Sequence, residues 1–237
     1  MCDIHVIFTR HEDLGNCDTD GLYEIIEEKK PEVIFEELDY TRFNQAYIEQ
    51  NFIRLEIKAI TRYLENHIIE HIPIDTYDTP DFNEEKIFYY EDYIKENDNL
   101  YLELTQKRDM LAARDGFSFT NSQQLIEMTQ MIKMQEDIFY RKTNNEEYRK
   151  IYEDYVKWYD NREYEMIKNI CNYSKEHRYN KAIFIIGADH INSITKKIRE
   201  TKEGQRNVHF IIDPKDLGFN VKDINIKPLL KLVSGQK

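Results

Sequence analysis

Five short apolar runs, residues 4–9, 32–37, 72–75, 182–187 and 208–213, are rich in Ile, Val and Phe and show little polar alternation. Strands of that kind are buried on both faces, which restricts the chain to a sheet covered by helices on each side. Helical periodicity fills the gaps between them. Residues 21–30 carry Leu22, Ile25 and Ile26 at helical spacing, and Pro31 closes the segment. Residues 43–70 set Tyr47, Ile48, Phe52, Leu55, Ala59, Ile60, Tyr63 and Leu64 along one stripe of a long amphipathic helix. Residues 191–200 read as another helix, with Gly204 ending the connection. Strand, helix and strand in succession predict right-handed crossovers and an α/β fold, a mostly parallel sheet with flanking helices.

Residues 81–160 break this pattern: they hold nine of the seventeen tyrosines, one glycine, and eighteen acids against eleven bases. The spacing predicts helices over 84–96, 100–113, 122–141 and 146–174, with a loop at 115–120. The last helix runs straight into the fourth strand. Residues 81–159 are therefore expected to be a large helical insertion, a lid over the carboxyl edge of an α/β core made of residues 1–80 and 160–237. Met128, Met131 and Met134 follow one another at three-residue spacing and are expected to face its core.

Charge and cysteine usage narrow the partners. Lys+Arg 33 against Asp+Glu 45 gives a net charge of -12, a field that repels nucleic acid and anionic lipid. Neither is expected as a partner. Cys2, Cys17 and Cys171 are an odd number without CxxC or Cys/His spacing, as in a reducing cytoplasm. The first residues lack a basic, then apolar leader, and no run approaches the ~20 apolar residues of a membrane helix. The reading is a cytoplasmic protein with no membrane partner. Tyrosine-rich helices favour interfaces, so a homodimer is also expected.

Ligands of parallel sheets bind outside the carboxyl ends of the strands, and every expected strand here delivers an ionisable group to that edge. The first ends in Arg10-His11-Glu12-Asp13, the second in Glu36-Glu37-Leu38-Asp39 with Arg42 beyond, and the third in Asp75. The fourth ends in Gly187-Ala188-Asp189-His190 and the fifth in Asp213. Glu36 should face away from Glu37, because successive strand side chains alternate.

These motifs resemble the TraB/PrgY/GumN family and its relatives, the Tiki proteases, erythromycin esterases and ChaN-like proteins. The family's strand ending in Gly-Thr-x-His is similar to Phe8-Thr9-Arg10-His11, with Phe8 in place of the glycine. Its Glu-Leu-Asp followed by an arginine resembles Glu37-Leu38-Asp39 with Arg42, and its third strand ending in aspartate resembles Ile72-Pro73-Ile74-Asp75. The late arginine opening a helix is similar to Arg162, and Gly-x-x-His to Gly187-Ala188-Asp189-His190. The resemblance spans residues 4–78 and 160–213 and leaves the insertion unmatched.

The resemblance implies a hydrolase cleaving a peptide or ester bond of a small molecule or peptide, with His11, Glu37, His190 and Arg162 as catalytic residues. It implies Glu12, Arg42, Asp75, Asp189 and Asp213 around them. Two chemistries are open. With one divalent ion, zinc, manganese or cobalt, His11, Glu37 and His190 would be the ligands of a metal that activates water. Without a metal, one histidine is the base, Glu37 or Asp75 orients it, and Arg42 or Arg162 stabilises the oxyanion. His190, read as a pocket-surface imidazole, should be dispensable for the fold. The alternative is a non-catalytic module binding a planar, haem-like ligand or a protein partner.

Other patterns carry less. His67-Ile68-Ile69-Glu70-His71 spells an inverted zincin motif at the end of the expected 43–70 helix, without a distal third ligand. Gly15 and Gly21 lack nucleotide-loop spacing, and the cysteines lack an activating neighbour.

Overall fold

The computed structural model describes residues 2–76, 84–201 and 208–212. Strands β1 (Cys2–Thr9), β2 (Val33–Glu36), β3 (Glu70–Pro73), β4 (Lys181–Gly187) and β5 (Val208–Ile211) form one parallel sheet in the order β3-β2-β4-β1-β5. The α/β architecture is as the apolar runs predict. Their continuity follows from two covered faces: Ile4, Val6, Phe8, Val33, Phe35, Ala182, Phe184 and Ile186 enter one core cluster. Ile7, Ile34, Ile183 and Ile185 enter the other. Asp213 lies outside the described residues.

The handedness of the crossovers assigns the helices. Connections β1 to β2 and β2 to β3 move toward one edge of the sheet, through α1 (Thr19–Lys29) for the first, α2 (Tyr40–Tyr47) and α3 (Leu55–Leu64) for the second. These helices cover the Ile7 face. The return from β3 to β4 and β5 moves the other way and covers the Phe8 face. Chains leaving the adjacent strands β2 and β4 therefore part in opposite directions. A crevice opens between their carboxyl ends, the position at which such sheets bind ligands.

The insertion comprises α4 (Glu84–Asn97), α5 (Asn99–Asp115), α6 (Phe117–Thr120), α7 (Gln123–Lys142) and the long α8 (Glu146–Glu176). Its buried residues, among them Tyr90, Leu104, Leu125 and Tyr148, share one cluster with the sheet residues Val6, Phe8 and Phe184. The lid is continuous with the core. It also completes a strand: β5 pairs with β1 only as far as His5, and beyond that point Asn121 takes the place of a neighbour. Asn121 Oδ1 accepts from Phe8 N at 2.8 Å, while Asn121 Nδ2 and Thr120 Oγ1 donate to Phe8 O at 2.9 and 2.8 Å. The backbone groups of Phe8 are thereby satisfied away from solvent.

Three local expectations change. The stretch 43–70 is two helices, because the polar Glu49-Gln50-Asn51 triplet turns the chain, with Gln50 at φ 57. Asn51 N closes that turn on Gln45 O. Glu70 and His71 consequently belong to β3, so the inverted zincin pattern has no helical face on which to act. The 115–120 loop holds the short helix α6, entered through Gly116 at φ 60, where a Cβ would meet Asn16 O at 2.5 Å. Of Met128, Met131 and Met134, only Met128 is fully buried. Each step of three residues drifts roughly 60° around a helix, which carries Met134 out to 60% exposure. Among the described residues no helix is long and apolar enough to cross a membrane.

After β4, a 3-10 turn (Ala188–His190) leads into α9 (Ile191–Glu200).

Candidate functional site

A cleft of about 580 Å³ opens over the carboxyl ends of β1, β2 and β4. His11, Glu12, Glu37, Arg42, Arg162, Asp189 and His190 line it together. Asp75 lies beneath, fully buried, held by Arg162.

Glu37 sits at the centre. One carboxylate oxygen accepts from Arg162 Nη2 at 2.9 Å and from His190 Nε2 at 3.1 Å; the other accepts from Gly187 N at 2.6 Å. Burial raises the pKa of such a carboxyl, but His190, then His11 and Arg162, outweigh it and hold Glu37 well below the usual carboxylate range. Arg162 reaches down from α8, donating from Nε to Asp75 at 3.1 and 3.2 Å and from Nη2 to both acids, with the Trp158 ring 4.4 Å from the guanidinium carbon. Glu36 faces the other way, bonded to His71 Nδ1 at 2.7 Å and Tyr47 Oη at 2.6 Å.

His190 is a buried cation. Its Nδ1 lies 2.6 Å from Glu163 Oε1 and its Nε2 3.1 Å from Glu37 Oε1, and carboxylates only accept, so both ring nitrogens carry protons. Burial alone would push the imidazole down, yet Glu37 and Glu163 raise it to about 9. Behind it Glu163 also takes Lys197 Nζ at 2.8 Å and the Ser193 hydroxyl, and the Tyr159 ring stacks on the imidazole at 4.2 Å. At 3% exposure between two acids, His190 lines the cleft as a buried group held on both sides. His190→Ala leaves Glu37 with Arg162 and Gly187 N and Glu163 with Lys197 and Ser193, each short of one buried charged partner, so the change is expected to cost stability as well as activity, against the expectation that the fold would tolerate it unaffected.

The sign of the pH dependence follows. A folded-state pKa raised from about 6.5 to about 9 contributes stability that is complete below pH ~6.5 and disappears as pH rises through 9. The expected loss is roughly 3 kcal/mol. Urea unfolding at pH 6, 8 and 10 measures it, and a flat profile would contradict the buried imidazolium.

His11 is held differently. Its Nδ1 donates to Glu56 Oε1 at 3.1 Å, the same oxygen that takes the Thr9 hydroxyl, and its ring is 39% exposed. Nε2 is left facing the cleft floor, where Gly187 lacks the Cβ that would lie 3.2 Å from it and 3.3 Å from Glu37 Oε2. Arg108 of α5 pairs with Asp189 at 2.6 Å, tying the lid to the end of β4.

Glu56, Glu163, Tyr159 and Lys197 are site residues that the strand-end motifs do not contain. Glu163 alone carried a signal, since it shares the stripe of Met166, Ile167, Ile170 and Ser174, all buried on α8.

Two of the three expected metal ligands, Glu37 and His190, are committed to protein partners. Among the described residues no three of His, Cys, Asp or Glu are grouped to hold one. His190 Nε2 and Arg162 Nη2 both lie on the same Glu37 oxygen. Cys17 is buried, with its thiol pushed up to about 11 by burial, which is unsuited to nucleophilic use.

Models of known protein families give no match to the chain, and neither do curated proteins.

Proposed function

We propose that the cleft hydrolyses an ester or peptide bond of a small molecule or peptide, using water activated by His11 and no resident metal. The supporting observation is the pair of imidazoles about Glu37, each fixed at Nδ1 by its own carboxylate, Glu56 for His11 and Glu163 for His190. Exposure divides their roles. His11 presents Nε2 to the cleft and takes a proton from water, as a general base within hydrogen-bond reach does. His190, with both nitrogens committed, keeps Glu37 charged and fixed. The backbone N–H groups of the Ala188–His190 turn receive no side-chain cap and suit the oxygen on which negative charge develops. Arg162 serves as counter-charge to Glu37 and Asp75, while Arg10, Arg42 and Arg54 line the cleft where substrate would lie.

The test is a panel of alkyl esters, aryl esters and short peptides offered to the purified chain, alone, with chelator, and with added zinc, manganese or cobalt. Turnover unaffected by chelator is expected. Loss on chelation overturns the metal-free reading, and no turnover in any arm leaves a binding module for a planar ligand or a protein.

Gly187→Ala separates site from fold. Gly187 has φ -58, which any residue adopts, so the protein should stay folded. Small-to-large strain costs about 1–3 kcal/mol. The new methyl pushes His11 and Glu37 apart, and misplacement of that kind costs about 100-fold in rate. An alanine variant as active as the wild type would remove the His11–Glu37 gap from the mechanism.

A further inference from the structure

Behind Tyr159 lies a second, partly open chamber of about 260 Å³, bounded by the insertion and α9. It shares Glu91, Tyr155, Tyr159 and Asp189 with the cleft, so the two cavities adjoin across the ring that stacks on His190. Its apolar wall consists of the rings of Tyr90, Tyr101, Tyr155 and Tyr159 with Ile132 and Val156.

The charges around it are all paired, four cations against five acids. Lys95 pairs with Glu91 at 3.0 Å, Lys133 with Glu136 at 3.0 Å and Arg108 with Asp189 at 2.6 Å. Lys197 pairs with Asp160 at 2.5 Å and Glu163 at 2.8 Å. An ionic ligand would have to break one of these pairs, whereas a neutral ring meets four aromatic faces. The Tyr159 hydroxyl, buried and without a hydrogen-bond partner among the described residues, offers one polar contact. A cavity of roughly 150 Å³ suffices for benzene, so this one has room for a two-ring group.

We propose that the chamber binds a neutral aromatic group of about two fused rings, and, resting on the hydrolase reading, that this group is one side of the scissile ester. Substrates would lie across Tyr159, with the aromatic part in the chamber and the reacting carbonyl beside His11. The insertion, which has no counterpart in the strand-end motifs, would then set substrate choice.

The experiment uses 2-naphthol and its anionic analogue 2-naphthoate as probes, titrated by calorimetry against the wild-type chain and against Val156→Trp and Ile132→Phe. Both substitutions enlarge a wall residue into the chamber. 2-Naphthol should bind the wild type at least about tenfold more tightly than 2-naphthoate, and both variants should lose at least about tenfold of that affinity, at unchanged circular dichroism. Absence of 2-naphthol binding, equal binding of the anion, or binding that survives both substitutions overturns the proposal. The hydrolase reading is tested separately, by kcat/KM for 2-naphthyl acetate over methyl acetate, a ratio that should exceed one and fall in both variants. Probe binding lost in the variants, with no ester cleaved, would keep the chamber and overturn the hydrolysis.

Discussion

Arg162→Leu is expected to destabilise the protein by about 3–5 kcal/mol, the cost of leaving buried carboxylates without their partner. Arg162 is 4% exposed and joins Asp75 to Glu37 through one guanidinium. Glu37 would retain His190 and Gly187 N, but among the described residues Asp75 would retain only the Thr76 amide, at 2.7 Å. Leucine fills most of the volume and makes no ion pair, so the loss is electrostatic. Arg162→Lys keeps the charge but not the planar fork that reaches both acids, and should fall between. Urea unfolding measures the effect as a lower midpoint at unchanged slope. Adding Asp75→Asn to Arg162→Leu should recover part of the loss, because the stranded charge is then gone. A leucine variant as stable as the wild type would mean that the ion cluster does not hold the strand ends together.

Legibility in the sequence tracked the range of the interaction. Buried parallel strands announce themselves by their own composition, and their ends fix where polar groups collect, so His11, Glu37, Asp75 and His190 could be placed at one edge. Arg162 was reached only through a resemblance, since nothing local in α8 aims it at β2. The carboxylates that give the two histidines different roles lie far along the chain, Glu56 at 45 residues from His11 and Glu163 at 27 from His190. Only the crossovers bring them together. The same holds for Asn121, 113 residues from the strand it completes. The 43–70 segment failed for the opposite reason: its apolar stripe is real on both sides of the break, and a single turn at Gln50 outweighed the periodicity.

His11→Gln is expected to lower the rate on any substrate the chain hydrolyses by about 100- to 10,000-fold, the range for loss of a general base. Stability should change little, because the ring is 39% exposed and its partner Glu56 can accept from the glutamine amide instead. That combination is what distinguishes His11 from His190, whose removal disturbs activity and fold together. Glu56→Gln tests the orientation: an amide in place of the carboxylate still accepts from Nδ1 but supplies no charge to the imidazolium formed when Nε2 takes its proton. The rate should fall by less than in His11→Gln, with kcat affected more than KM. His71→Ala provides the contrast, because His71 answers to Glu36 on the other side of β2 and lies outside the cleft. Its rate should stay within a few fold of the wild type, whereas the inverted zincin pattern requires it to collapse. An inactive His71→Ala beside an active His11→Gln would move the chemistry to the far face of the sheet and refute the strand-end site.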